Sequence, residues 1–421
     1  MPRTEQISNN EGLVIVVLSW LLSCMFGMVP YIMWGGEFSF TNAWFESVSG
    51  FTTTGSSILN DIECLPKGLL FWRSASQWIG GIGIVIFVLV VLPNIGKARF
   101  VLYRTEISDL AKNNLKYVSK KALWILLVVY LGLTFLETIF LWLAGMDLFD
   151  AVNHSFTTIA TGGFSTRNLS IAHYDNVTIE VIIEVFMILA GMHFGLLFAT
   201  ITGKKMNIFK SVVIRYYLFT IFIAGLLVSV NLYFSDKYIL SESLRYSFFQ
   251  IISLGTSTGY ANADSAWWPS FSVLVLLFFT LQCACAGSTS GGIKTDRILV
   301  LFRSIRNHVT KIHHPRAVLP YRIGRWYIDP EAAHAAVLYI VLYLLVVLIS
   351  SLTIAFLGVD GLTAFSASAA TMGNVGPGFG EVGSLENYAS LPDLAKWVLT
   401  VTMLLGRLEI YGFLALIVIR K

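Results

Sequence analysis

The sequence predicts an all-α polytopic membrane protein: four repeats of helix, re-entrant pore loop and helix in one chain, arranged with pseudo-fourfold symmetry around a central pore. Three observations carry that expectation. The 421 residues are 56% hydrophobic and only 13% charged, whereas about a quarter of the residues of a soluble domain are charged. The apolar residues gather in runs of about twenty or more, long enough to cross roughly 30 Å of hydrocarbon as helices. Alternate runs are joined by four short Thr/Ser/Gly-rich segments of one design.

In chain order, eight crossings are expected at Gly12 to Trp34, Leu69 to Leu92, Ala122 to Leu143, Val177 to Ile201, Val212 to Tyr233, Ser270 to Leu301, Ala333 to Leu357 and Leu391 to Ile419. The start, MPRTEQISNNEG, lacks the basic start, short apolar core and small-residue cleavage site of a signal peptide, so the first helix is expected to act as its own signal. Of Cys24, Cys64, Cys283 and Cys285, only Cys64 falls in a loop, and no disulfide framework is implied. Cys283 and Cys285 have no His or second Cys pair nearby and read as small packing residues rather than half a metal site.

The net charge of +4 is a topology signal and implies no nucleic-acid partner. Lys97, Arg99, Arg104, Lys112, Lys116, Lys120 and Lys121 crowd the link between crossings two and three. Lys204, Lys205, Lys210 and Arg215 mark that between four and five, and Arg297, Arg303, Arg306, Lys311, Arg316, Arg322 and Arg325 that between six and seven. The alternate links are mainly acidic, so the positive-inside rule puts both termini and the basic links in the cytoplasm.

The outward links define an internal repeat, with units at 1–95, 96–203, 204–305 and 306–421. Their cores read FESVSGFTTTGSS from Phe45, VNHSFTTIATGGF from Val152, FQIISLGTSTGYA from Phe249 and SASAATMGNVGPG from Ser366. Aligned without gaps on Gly55, Gly162, Gly259 and Gly376, they place Thr53 and Thr54, Ala160 and Thr161, Ser257 and Thr258, and Asn374 and Val375 just before glycine. Such segments are too short to span and too rich in glycine to stay helical. Non-helical backbone at membrane depth survives only where it is buried in protein or lines water. Glycine permits the dihedrals that turn a row of carbonyls toward an axis, and carbonyls can replace the hydration shell of a potassium ion.

These loops resemble those of the Trk/Ktr/HKT superfamily of potassium transporters, as do FWRSASQWIGGIGI from Phe71, CAGSTSGGIK from Cys285 and LLGRLEIY from Leu404. The resemblance covers essentially the whole chain and points within that superfamily to the bacterial Trk membrane subunit. It implies that the four glycines form a potassium filter, that potassium is the substrate with no cofactor, and that the protein lies in the bacterial inner membrane. A homodimer and a cytosolic ring of nucleotide-binding regulatory subunits, docked on the basic links, are likewise implied by the resemblance. Bacterial Trk subunits commonly carry an extra helix pair ahead of the first repeat, whereas here the first repeat begins almost at Met1. The chain is therefore expected to be a shorter relative of the Ktr kind or a truncated one.

Within the spans, Gly287, Ser288, Thr289, Ser290, Gly291 and Gly292, followed at once by Lys294, should unwind the sixth crossing. A tight packing face or a cytoplasmic turn would satisfy that composition. The resemblance implies a gate below the filter. Arg407 lies in the last crossing, where a charge must face protein or a water-filled cavity; Glu409, two residues on, faces another direction. The resemblance puts this arginine near the gate, and anchoring the broken helix through its free carbonyls is the alternative. Arg73, flanked by Trp72 and Trp78, reads as an interfacial anchor, as do Trp267 and Trp268. Glu46, Asn153 and Gln250 share one aligned position and are expected to brace the filter rather than attract cations. His154, His193 and His334 are scattered, and no nucleophile motif is present, so no enzyme is expected. An ion-coupled transporter of a small organic solute is the alternative function.

Overall fold

The computed structural model describes residues 9–91, 115–203, 208–324 and 326–410. Lys97, Arg99, Arg104, Lys112, Lys204, Lys205, Arg325 and the part of the last crossing beyond Ile410 lie outside the described residues. In the first unit, α1 (Asn9–Gly27) passes into α2 (Val29–Trp34), where Pro30 lacks the N–H that would continue the ladder. Then come α3 (Phe40–Phe51) and α4 (Lys67–Val91). The second unit holds α5 (Leu115–Leu143), α6 (Leu148–Ile159), α7 (Val177–Ala190) and α8 (Phe194–Ile201). The third holds α9 (Val212–Phe234), α10 (Leu240–Gly255), α11 (Ser270–Gln282) and α12 (Thr295–His313). The fourth holds α13 (Pro330–Phe356), α14 (Gly361–Met372) and α15 (Asp393–Arg407).

The helices α3, α6, α10 and α14 are the re-entrant ones. Three of them start on a side-chain cap: Ser39 accepts from Asn42 N, Asp147 from Phe149 N, and Asp360 from Leu362 N and Thr363 N. At 12 residues in α3, α6 and α14 they reach about 18 Å, well short of the hydrocarbon thickness. Each packs on a span of its own unit, α3 on α4, α6 on α5, α10 on α9 and α14 on α13. The ring closes because the next contact always crosses units: α4 on α6, α7 on α10, α11 on α14 and α15 back on α3.

Polarity is arranged for lipid outside. Ile15, Leu18, Phe135, Phe219, Leu348 and Leu352 are about half or more exposed, while Glu46, Gln77, His154, Gln250 and Asn374 are fully buried. A polar interior behind an apolar exterior is what a bilayer requires of a helical assembly around an aqueous path.

Two crossings and one tryptophan depart from the expectation, and a small hairpin is added to it. The crossing read as Val177 to Ile201 is not continuous: α7 and α8 meet at 104°, and His193 at the break caps α8 by accepting from Gly195 N at 3.0 Å. The break in the sixth crossing runs from Cys283 to Lys294, wider than the glycine-rich stretch alone. A short antiparallel hairpin, β1 (Tyr321–Ile323) with β2 (Trp326–Ile328), joins α12 to α13. Of the paired tryptophans, Trp267 is exposed as an interfacial residue should be, but Trp268 is buried in the core.

Candidate ion pathway: four interlocked loops and a flap

All four re-entrant helices end in the same way. The N–H groups of Thr53, Thr161, Ser257 and Asn374 return to the carbonyls of Gly50, Thr158, Leu254 and Thr371. Those of Thr54, Gly162, Thr258 and Val375 return to Ser49, Thr157, Ser253 and Ala370. This is the Schellman pattern, which requires a left-handed residue at its apex. The residues there, at φ 52°, 54°, 60° and 52°, are Thr, Thr, Ser and Asn rather than glycine.

Two residues later comes a glycine at positive φ in every loop: Gly55, Gly163, Gly259 and Gly376, at 87°, 74°, 81° and 97°. A Cβ added to Gly55 would strike the carbonyl oxygen of Gly162. One on Gly163 would strike Thr258 O, one on Gly259 Val375 O, and one on Gly376 Thr54 O. Each glycine thus lies flat against the carbonyl preceding its counterpart in the next loop, and the contacts run round in chain order.

The second loop is therefore read one residue out of register when Gly162 is taken as its anchor. Gly163 is the counterpart of Gly55, Gly162 that of Thr54, Thr161 that of Thr53, and Ala160 closes the helix as Thr52 does. The same shift replaces Asn153 by His154 as the counterpart of Glu46 and Gln250. Glu46 accepts from Ser57 Oγ at 3.0 Å and Ile58 N at 3.1 Å. His154 Nε2 meets Ser165 Oγ at 3.0 Å, and Gln250 Nε2 donates to Ala263 O at 3.1 Å. These side chains brace the rising segments of the first three loops from behind, as expected of Glu46 and Gln250, with His154 in the place expected of Asn153.

Arg73 is no interfacial anchor. At 1% exposure it pairs with Glu46 at 2.8 Å, donates to Ser57 Oγ at 3.2 Å and to Ser165 O at 3.1 Å, and lies 4.2 Å from the Phe164 ring centroid. At the mouth, Asp150 takes hydrogen bonds from Thr166, Tyr174 and Arg167. Burial would raise the Asp150 pKa, but those bonds outweigh it and hold the carboxyl below its ordinary value.

Below the loops lies the flap formed by Cys283 to Lys294. Its entry docks on the bend of the fourth crossing: Cys285 N donates to Gly191 O, and Phe194 N to Gly287 O. Its tip touches three of the four loops. Thr289 Oγ1 donates to Ile159 O at 3.0 Å, Ser257 Oγ to Ser290 Oγ at 2.9 Å, and Gly291 N to Ser257 Oγ at 3.2 Å; a Cβ on Gly291 would meet Gly373 O. Ser288, Thr289 and Ser290 are buried, and a Cβ on Gly292, which sits at positive φ, would strike the Cys283 side chain. Lys294 leaves the flap at φ 74°. From α15, Arg407 donates to Thr289 O at 2.6 Å and to Gly80 O at 3.1 Å. Glu409 pairs instead with Arg297 at 2.9 Å, as the separate facing of Arg407 and Glu409 requires.

The sequence reading overlooked Gln77, Ser56 and Tyr388. Gln77 binds the second loop, while Ser56 Oγ and Tyr388 OH both donate to Gly376 O, at 3.0 and 2.7 Å. Polar residues one turn apart on an apolar span, as Arg73 and Gln77 are, were the available signal. Among the described residues no group of His, Cys, Asp and Glu could hold a metal.

Residues 2–420 match the family TrkH, cation transport protein. The chain is 36% identical over 418 residues to the Trk system potassium uptake protein TrkH of Escherichia coli K12, covering 98% of this chain and 86% of that protein. It is 35% identical over 421 residues to the protein of the same name from Halomonas elongata, with the same coverage. It is similar to the crystal structure of the potassium transporter TrkH from Vibrio parahaemolyticus at TM-score 0.88 and 34% identity, covering 99% of this chain and 86% of that one.

Proposed function

The chain belongs to the TrkH family of cation transport proteins, and on that premise we propose that it takes up potassium through a channel-like pore whose filter is the ring of four loops. The observation that carries this reading is the closed set of glycine-to-carbonyl contacts from Gly55 round to Gly376. Four backbones packed edge to edge in this way offer backbone carbonyl and hydroxyl oxygens to a shared axis, which is the chemistry that replaces water around a cation of one size. Each of the units 1–95, 96–203, 204–305 and 306–421 gives one loop. The filter residues are Thr53, Thr54, Gly55, Thr161, Gly162, Gly163, Ser257, Thr258, Gly259, Asn374, Val375 and Gly376.

The flap from Gly287 to Gly292, with Lys294 behind it, acts as the gate. Buried under three loops and held by Arg407, it obstructs the path just below the filter, so opening requires that Thr289 O be released. The resemblance supports control by cytosolic nucleotide-binding subunits and a homodimer, and the charge pattern supports an inner-membrane protein with both termini cytoplasmic.

Rubidium and sodium uptake by proteoliposomes holding the full chain tests the filter. Gly163→Ser and Gly259→Ser should each lower the ratio of rubidium to sodium uptake. Parental ratios in both would refute the ring as the filter.

A further inference from the structure

One side chain behind the ring binds a carbonyl that its three counterparts leave without a donor. Gln77, fully buried, donates from Nε2 to Gly162 O at 2.7 Å and accepts from Phe164 N at 3.1 Å through Oε1. It thus grips the second loop on both sides of Gly163. Among the described residues, the counterpart carbonyls of Thr54, Thr258 and Val375 receive no hydrogen bond. Arg73, one helical turn earlier on α4, ties Ser165 O of the same loop to Glu46 and Ser57 of the first. The span α4 is therefore a splint that sets the second loop against the first.

The identity of residue 162 fits this role. Gly162 is not at positive φ, so its backbone makes no demand for glycine. A Cβ there would overlap the Gln77 Cδ, Oε1 and Nε2 atoms. Glycine stands at 162 to admit the amide of Gln77, whereas the three counterparts, Thr54, Thr258 and Val375, carry side chains.

We propose that Gln77 is a positioning residue for ion selectivity, fixing the carbonyl of Gly162 and thereby the width of the ring on its second side. This inference rests on the filter reading above and deepens it. Because the amide holds the loop rather than the ion, changing it alters discrimination between cations more than it alters total flux. The Gly162 and Gln77 effects pass through one contact and do not multiply.

Purified full-length protein in proteoliposomes, assayed for rubidium and sodium uptake, tests the proposal. Gln77→Glu keeps the volume and the acceptor for Phe164 N but turns an oxygen toward Gly162 O; Gln77→Met removes both bonds without adding charge. Each should lower the rubidium-to-sodium ratio by roughly tenfold, the factor that a buried carbonyl facing a lost donor commands, while rubidium uptake persists. Gly162→Ala should do the same, and Gly162→Ala with Gln77→Ala should be no worse than either single change. Parental ratios in Gln77→Glu and Gln77→Met, or multiplying effects in the double variant, would overturn the proposal. If Gly163→Ser loses selectivity while the Gln77 variants keep it, only the positioning role falls. If Gly163→Ser also keeps the parental ratio, the filter reading itself falls.

Discussion

Replacing Arg73 by Met leaves Glu46 as an uncompensated carboxylate at full burial. The pair sits at 2.8 Å, and removing one partner of a buried ion pair costs about 3–5 kcal/mol. Glu46 would retain only Ser57 Oγ and Ile58 N as donors. Glu46→Gln should cost a similar amount, since it strands the guanidinium over Phe164. The double variant removes both charges, and a buried pair replaced by neutral residues of similar volume is often nearly neutral. What the double variant cannot recover is the bonds from Arg73 to Ser57 and Ser165, each about 0.5–1.5 kcal/mol. The expected coupling is therefore about 2 kcal/mol or more. Thermal unfolding in detergent, followed by tryptophan fluorescence and by size exclusion, should show each single variant falling by on the order of 10 °C and the double recovering at least half. A double variant whose loss equals the sum of the singles would refute the ion pair as the brace of the first loop.

Arg407→Ala removes the charge-assisted bond that holds the closed flap at Thr289 O and ties it through Gly80 O to α4, a loss for the flap of about 1.5–3 kcal/mol; rubidium flux at saturating substrate should rise severalfold, and an unchanged or lower flux would argue against the latch. Asp150 is held below its ordinary pKa of 3.8, so its contribution to stability is complete above that value and fades as pH falls through the lower folded-state value. The parent should accordingly lose its thermal advantage over Asp150→Asn below about pH 4, as midpoints measured across pH would record. Gly163→Ala should impair folding or transport, because it places a Cβ at positive φ and against Thr258 O. Gly132→Ala, with open space around it, should leave both unchanged and serves as the control.

The apolar runs were legible because crossing lipid demands them, and the four polar links and the intramembrane Arg407 because they depart from what a lipid-facing span allows. The register of the second loop was not, since ATGGF offers two adjacent glycines and only the backbone conformation separates them. The left-handed apex was hidden for a related reason: Thr53, Thr161, Ser257 and Asn374 occupy it where glycine would have announced it. Arg73 was misread because tryptophans flank it in sequence, although helix geometry turns it inward to Glu46. The bend at His193 lies in a stretch as apolar as any span; what breaks it is docking against Gly287 and Cys285, nearly a hundred residues away.

The ring in which each glycine rests on the next loop has a consequence for how such a protein can change. In an assembly of four identical subunits one codon alters every quadrant together, so the smallest heritable step is a fourfold one. Here Gly162 beside Gln77, and Asn374 donating to Thr54 Oγ1 at 3.0 Å, are each confined to one junction between neighbouring quadrants. Fusing the quadrants into one gene lets mutation move in quarter steps, and each step is answered by the one neighbour it touches. On the filter reading, preference among cations becomes a graded trait, adjustable one junction at a time.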